Sequence, residues 1–385
     1  MAKIKKDTDE KKKFEGATSN MLNSLLEGYK DDHFNYVKSK EYKVSTGSLL
    51  LDSAISMGTG VHRLTGYSGS GKTSEALQIL KNSLSSLKNS KGIYVKAEGR
   101  LSKSVKDRSG VKFVYSSEEW VVGTCFVFEC NIFEAVADTL ECLSKSAAGQ
   151  NEVLCMIIDS MDALVLRNDA EKNVSENYKT AGPQALMKKF LARFALPLNK
   201  YGHICLILSQ VSSAIKIDPY SKEMIRSTSS SGGFGLTHFA DYILEFDYNY
   251  NSNKILENPS LKFDSEKNKA VGHWVSLTVC KSDKENSNTK VKYPVRYGQT
   301  DGNSIWIEYE LVDIMLMYEL ASKKGAWITF EESFRKELEQ AGFILPESIQ
   351  GSDATMEFLE NNKALTKFLF DKFRKDLAGD ENGAL

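Results

Sequence analysis

The most specific chemical pattern in the chain is a run of nine residues: Gly66, Tyr67, Ser68, Gly69, Ser70, Gly71, Lys72, Thr73 and Ser74. Gly66 and the Gly71-Lys72-Thr73 step stand at the spacing of a loop that wraps a phosphate chain. Glycine at 66, 69 and 71 lets the backbone turn its N–H groups toward one anion. Lys72 reaches the β and γ phosphates, and the Thr73 hydroxyl holds Mg²⁺. The flanks agree with this reading. "GVHRLTG" before the loop reads as a short buried strand, and "KTSEALQILKNSLSSL" after it places Ala76, Leu77, Ile79, Leu80, Leu84 and Leu87 at helical spacing. A helix starting there adds its positive dipole end. A flexible Gly/Ser loop would not need that strand and helix, so the reading is a nucleotide site with Mg²⁺.

Phosphoryl chemistry needs a second carboxylate for the metal and a group that positions water. "VLCMIIDS" is an apolar strand ending in Asp159, which therefore emerges at the strand's C-terminal edge, where the phosphate loop of an α/β sheet also sits. Asp159 is the Mg²⁺-side acid; the alternative is a helix N-cap by Asp159 or Ser160. "GIYVKAEG" puts Glu98 at the end of another strand. It either activates water or is an ordinary exposed loop glutamate. "LILSQ" places Gln210 at the same edge, directly before a long polar stretch. A glutamine there is within reach of a γ-phosphate and can pass on its presence.

The elements that must position these groups alternate. Strand candidates "VHRLT", "GIYVKA", "TCFVFEC", "VLCMIID", "HICLILS" and "DYILEF" are separated by helical periods. Continuous apolar strands of this kind predict an α/β fold with a mostly parallel sheet covered on both faces. Ahead of them, residues 1–13 are charged, "ATSNMLNSLLEGYK" is an amphipathic helix, and "HFNYV" is a lone strand with no local partner. Two polar stretches, Arg167–Gly182 and Ser212–Gly233, interrupt the rhythm at a length that marks functional loops. A third, Asn251–Ala270, carries no functional signal. After about Ile307 the pattern turns helical, suggesting a small C-terminal domain with a short, mildly acidic tail. The boundaries expected are thus 1–43 for an N-terminal helix and strand, 44–307 for the ATPase core and 308–385 for the C-terminal domain.

Composition narrows the setting. The 385 residues carry a net charge of −1, so any nucleic-acid contact must come from local patches. The six cysteines include no CxxC pair and sit mostly in apolar runs, as expected of a reduced cytoplasmic protein. The N-terminus lacks the apolar core of a signal peptide, and no run is long and apolar enough to span a membrane.

In this order the pieces resemble the RecA recombinase family. "STGSLLLD" is similar to that family's opening segment, "GYSGSGKTS" to its phosphate loop, "YVKAEG" to the segment of its catalytic glutamate and "IIDSMDAL" to its aspartate strand. "LILSQ", a loop and "SSGG" resemble the sensor glutamine and the second DNA loop. "RYG", "ELVDIMLMYEL", "KKGAW" and "IQGSDATMEFLENNKAL" resemble the bacterial C-terminal region. The resemblance runs from about Val44 to Leu377.

The resemblance implies a DNA-dependent ATPase that forms helical filaments on single-stranded DNA and pairs it with a homologous duplex, in recombination and repair. It implies Glu98 as the residue activating water, Lys72 and Thr73 on phosphate and metal, Asp159 at the metal, and Gln210 as the γ-phosphate sensor. Lys281 and Lys284 stand as the pair that reaches a neighbour's ATP, spaced more widely than in the family. It also implies two DNA-facing loops. The first, with the helix after it, carries Arg167, Lys172, Lys179, Lys188, Lys189 and Arg193; the second carries Lys216, Lys222 and Arg226. Read alone, these are solvated charges; the resemblance makes the second stretch a DNA loop. The lone strand "FNYV" would pair with a neighbouring copy's sheet. Ser102 and Val105 replace the aspartate and tyrosine that hold adenine in bacterial members, and Phe234, Thr237 and His238 replace interface residues. "THFAD" and "CKSDK" are closer to the T4-type phage UvsX recombinases, which implies a divergent phage-encoded member. Two other readings remain open: a hexameric RecA-fold helicase, and a DNA-coating scaffold that hydrolyses little ATP.

If the second stretch binds the phosphate backbone, Arg226→Ala should weaken binding to every single-stranded sequence alike and flatten the salt dependence by about one contact's worth. Fluorescence anisotropy at several salt concentrations measures this, and a loss confined to some sequences would mean that bases are read instead.

Overall fold

The computed structural model describes residues 18–30, 33–99, 101–171, 182–213, 228–230, 233–248, 251–283 and 287–378. The chain divides into two units, Met1–Lys40 and Glu41–Leu385. In the first, helix α1 covers 18–28, as its periodicity predicts. The expected strand at 33–37 is instead a turn, in which the Val37 N–H donates to Phe34 O at 3.0 Å and the Asn35 N–H donates to His33 Nδ1 at 3.2 Å. A single strand with no ladder partner leaves its backbone groups unpaired, and the turn gives some of them local partners.

The second unit is built on a sheet that is parallel at its centre. After α2 (Leu49–Ala54) come β1 (Gly60–Gly66), α3 (Lys72–Ser86), β2 (Ser90–Lys96), α4 (Lys103–Ser109), β3 (Phe113–Val114), β4 (Cys125–Phe128), α5 (Phe133–Gly149) and β5 (Val153–Asp159). Then follow α6 (Arg167–Ala170), α7 (Gly182–Tyr201), β6 (Ile204–Ser213), β7 (Thr228–Ser230), α8 (Gly233–Phe239), β8 (Tyr242–Phe246), β9 (Lys254–Leu256), β10 (Ala270–Lys281) and β11 (Thr289–Arg296). The strand order is β11-β10-β8-β1-β6-β5-β2-β4-β3. Strands β8 to β3 along this order pair in parallel, and β10 and β11 add antiparallel. Period-two alternation splits β5 between the two covered faces. Cys155 and Ile157 pack with Leu77 and Leu80 of α3, while Leu154, Met156 and Ile158 pack with Leu140 of α5 and Phe194 of α7.

Both polar stretches contain structure the sequence did not signal. Helix α6 opens the first, and β6 runs on into the second, where β7 pairs back onto it with Val211 opposite Ser230. Residues 172–181 and 214–227 lie outside the described residues, and with them Lys172, Lys179, Lys216, Lys222 and Arg226. The 251–270 insert is likewise shaped. Strand β9 pairs with β10, and buried Asn268 donates through Nδ2 to the carbonyls of Asn258, Leu261 and Lys262.

The C-terminal region is not purely helical. Helix α9 (Ile307–Met317) is followed by β12 (Ala321–Lys324), β13 (Trp327–Phe330), α10 (Glu332–Gln340), β14 (Ser348–Gln350), α11 (Ser352–Asn361) and α12 (Lys363–Ala378). The three strands form their own antiparallel sheet. The helical periodicity of "ATMEFLENNKALTKFLFDKFRKDL" runs on through 354–377, but Asn362 breaks it, with φ −111° and ψ 60°. Leu311, Ile314, Phe334, Leu359 and Leu369 make a third core, which Leu49 of α2 joins.

A polar joint ties this region to the sheet domain. Glu310 accepts the Ser48 hydroxyl at 2.6 Å and the Leu49 N–H at 2.7 Å. Burial pushes its carboxyl up to about 8, although both donors pull the other way. From the ordinary value near 4.5 to about 8, the folded protein holds a proton that the unfolded chain has released, so this group's contribution to stability falls as pH rises through that window. Glu310→Gln should therefore gain on the parent protein between pH 5 and 8, by on the order of a few kcal/mol. Urea unfolding of both proteins across that range tests it, and a stability difference that does not change with pH would contradict it.

Candidate active site

Strand register assembles the site. Gly66, at the end of β1, lies opposite Gln210 on β6 and Phe246 on β8. Lys96, at the end of β2, lies opposite Asp159 of β5, and Glu98 follows two residues on. The phosphate loop, Asp159, Glu98 and Gln210 thus meet at one edge because the strands carrying them run parallel and end together. Gly66 is required there: with φ at 148°, a Cβ on it would fall 2.4 Å from Phe246 O. Gly71, at φ 103°, makes the turn into α3.

The loop fits a triphosphate. Lys72 is buried and donates through Nζ to Gly66 O at 2.8 Å and Tyr67 O at 2.6 Å. Desolvation lowers its pKa, while Asp159, Glu98 and Asp162 favour its charge. An ammonium held only by loop carbonyls can exchange them for phosphate oxygens. The Ser70 hydroxyl is buried with no partner among the described residues, an orphan inside the loop that an anion would satisfy.

Asp159 is not a helix cap. Its Oδ2 accepts the Thr73 hydroxyl at 3.0 Å and the Tyr94 hydroxyl at 2.5 Å. Burial raises its pKa, opposed by these two donors and by Lys72. The same contact and its own burial push the Tyr94 phenol far up. Thr73 keeps its oxygen lone pairs, so Thr73 and Asp159 are the residues that would hold Mg²⁺.

Glu98 is half-buried, and its hydrogen-bond partners separate it from an ordinary loop glutamate. Its Oε1 accepts from the Ser160 hydroxyl and, at 3.2 Å, from Gln210 Nε2. Its Oε2 has no hydrogen bond among the described residues, leaving that oxygen to accept a proton. The Gln210 N–H donates to Asp162 at 2.5 Å. The sequence pattern does not signal Tyr94 or Asp162, although Asp162 stands only three residues past Asp159 in "DSMD", and it offers Ser160 only as a helix cap.

Two cavities open on these groups. One, of about 520 Å³, is lined by Lys72, Thr73, Glu98, Asp159, Ser160 and Gln210. The other, of about 480 Å³, runs from the phosphate loop between α4 and the β10–β11 pair, past Tyr297 and Gly298 of the "RYG" motif. Val105 lines both, while Ser102 caps α4 by accepting the Val105 N–H at 3.3 Å.

The residues expected to face DNA are placed less completely. Lys188 and Lys189 are exposed on α7. Arg193 pairs with Glu141 of α5 at 2.5 Å. Its side chain is 70% exposed, and such a pair contributes about 0–1 kcal/mol, little enough to exchange for a phosphate. The Arg167 N–H donates to Glu134 at 3.0 Å. Lys281 lines neither cavity; it caps the C-terminal end of α8, donating to Thr237 O at 3.3 Å and His238 O at 2.9 Å. Lys284 lies outside the described residues.

Comparison with known proteins reaches well beyond the loop. No family model matches the chain. Protein RecA of Bacillus subtilis is 24% identical over 350 residues, covering 89% of this chain and 85% of its own. Protein RecA of Campylobacter fetus is 24% identical over 345 residues, 87% of this chain and 84% of its own. A third, from Sulfurimonas denitrificans, is 26% identical over 300 residues, 75% of each chain. A similarity spanning both the sheet domain and the C-terminal region is decisive where a phosphate loop alone is not. Over most of its length the chain is similar to RecA-type recombinases. Among the described residues, no helix is long and apolar enough to cross a membrane.

Lys72→Ala removes the one cation buried in the loop. It should abolish phosphate release from ATP with the fold intact by circular dichroism, whereas turnover at the parent rate would place the nucleotide site elsewhere.

Proposed function

We propose that the chain is an ATP-dependent recombinase: it polymerises on single-stranded DNA, hydrolyses ATP in response and pairs the bound strand with a homologous duplex. The observation that carries this reading is the Gln210–Glu98 hydrogen bond. Gln210 belongs to β6, the strand that runs directly into the second DNA loop and receives β7 from its far side. A group on the DNA element thereby touches the carboxylate that acts on water, which is what a DNA-dependent ATPase requires and a passive coat does not.

The residue roles follow from the bonds. Lys72 neutralises phosphate charge, and the loop N–H groups orient the chain of phosphates. Thr73 and Asp159 fix the metal's position. Bound ATP and Mg²⁺ supply the phosphoryl group and the cation that offsets charge on the β and γ oxygens. Glu98, steadied through Oε1 by Ser160 and Gln210, offers Oε2 to the attacking water. Gln210 then senses the γ-phosphate by exchanging its bond to Glu98 for one to a phosphate oxygen.

Filament formation is supported by α1, where Met21, Leu22 and Leu25 are all exposed, an apolar surface suited to a second copy. A phage-type origin is part of the proposal and rests on "THFAD" and "CKSDK". The proposed setting is the cytoplasm, the host's if phage-encoded.

Coupling through Gln210 must be reciprocal. Single-stranded DNA should stimulate hydrolysis, and ATP should tighten DNA binding. Gln210→Ala should lose both effects with nucleotide affinity nearly kept, while Glu98→Gln should stop hydrolysis yet still bind DNA tightly with ATP. ATPase rates and DNA affinities with ATP and ADP decide this, and full DNA stimulation in Gln210→Ala would remove Gln210 as the sensor.

A further inference from the structure

The cavity beside the phosphate loop contains a carboxyl group that phosphate binding does not use. Glu75, in the first turn of α3, is 3% exposed and lines that cavity. The Tyr293 hydroxyl on β11 donates to its Oε2 at 2.6 Å and fixes its orientation. Its Oε1 is buried with no hydrogen-bond partner among the described residues. Leaving such an atom unsatisfied is costly, and a protein tolerates it where an incoming group supplies the partner.

Besides Ser70 Oγ of the phosphate loop, the same cavity holds two more orphans: His273 Nδ1 on β10 and Ser304 Oγ before α9 are buried and unpartnered among the described residues. Away from the phosphate loop, Val275, Val295 and Ile305 line the wall, and the Tyr297 ring lies against His273 with centroids 5.4 Å apart. Lys72 and Thr73 of the loop line this cavity and the other alike, so a group bound through its phosphates can extend along this wall, and the apolar and aromatic side chains suit a planar heterocycle there. We propose that Glu75 is a specificity-determining residue of the nucleotide site, its Oε1 hydrogen-bonding the edge of the purine base while Tyr293 holds the carboxyl in place. Adenine presents both ring-nitrogen acceptors and an amino donor at its edge, so a carboxyl has a partner there. His273 and Ser304 complete the polar rim. The inference rests on the reading of this site as one for ATP.

The test is titration calorimetry on the full chain with two Mg²⁺-bound ligands: ATP, and tripolyphosphate, which carries the charge without a base. Glu75→Leu should weaken ATP roughly three- to tenfold, the worth of one hydrogen bond, and leave tripolyphosphate unchanged. Glu75→Gln, which keeps a donor and an acceptor, should recover most of the ATP affinity. Tyr293→Phe keeps the carboxyl but removes the hydroxyl that orients it, and should weaken ATP alone; it serves if Glu75→Leu does not fold. Unchanged ATP affinity in the Glu75→Leu and Tyr293→Phe proteins would overturn the proposal. So would equal losses for both ligands, which would make the pair a support for the loop helix. Failure of the parent protein to bind either ligand would instead remove the ATP reading beneath it.

Discussion

One carboxylate organises the catalytic edge. Asp159 ends β5, and its Oδ2 is shared by hydroxyls from α3 and β2, the Thr73 and Tyr94 side chains. Burial works against its charge; two hydroxyl donors and the nearby Lys72 work for it. Hydrogen bonds to a charged acceptor contribute about 1.5–3 kcal/mol each and offset part of the desolvation. The geometry follows from this balance. Thr73 cannot shift without losing Asp159, and β2, bound at its end by Tyr94, cannot slide relative to β5. Glu98, which follows β2, inherits that fixed position.

From this edge a chain of polar contacts runs toward the elements that flank residues 214–227. Ser160 and Gln210 meet on one oxygen of Glu98, and Asp162 holds the Gln210 backbone. One residue back on β6, the Ser209 hydroxyl accepts from Arg63 Nε at 3.0 Å, and Arg63 Nη1 also reaches the Thr237 hydroxyl on α8 at 3.4 Å. Arg63 is only 1% exposed, and burial lowers its pKa while Asp162 and Glu245 sustain its charge. A buried guanidinium is costly unless its partners stay in place, so it holds β6 and α8 to β1. Lys281 then caps the carbonyls at the end of α8. The elements flanking the second loop are thus joined to the nucleotide edge through hydrogen-bonded side chains.

What the sequence revealed follows from the range of the forces involved. The phosphate loop, the apolar strands and the carboxylates at their ends are local patterns, and parallel register alone gathers Gly66, Asp159, Glu98 and Gln210. Short elements were not legible: β3 is two residues long, and β12 and β13 are four each. Residues 33–37 have strand composition but form a turn, because composition does not supply a partner. Glu75 was invisible for another reason. In a helical pattern a glutamate reads as the solvent face, and the residue that holds it, Tyr293, is 218 positions away. Lys281 was legible as a cation but not as a helix cap, which depends on where α8 ends.

Nucleotide-gated assembly is read directly by electron microscopy of the full chain on single-stranded DNA, with Mg²⁺ and either ATP or ADP. It predicts long helical filaments with ATP and short or sparse ones with ADP. Closed rings, or a coat on DNA that is the same with either nucleotide, would contradict it.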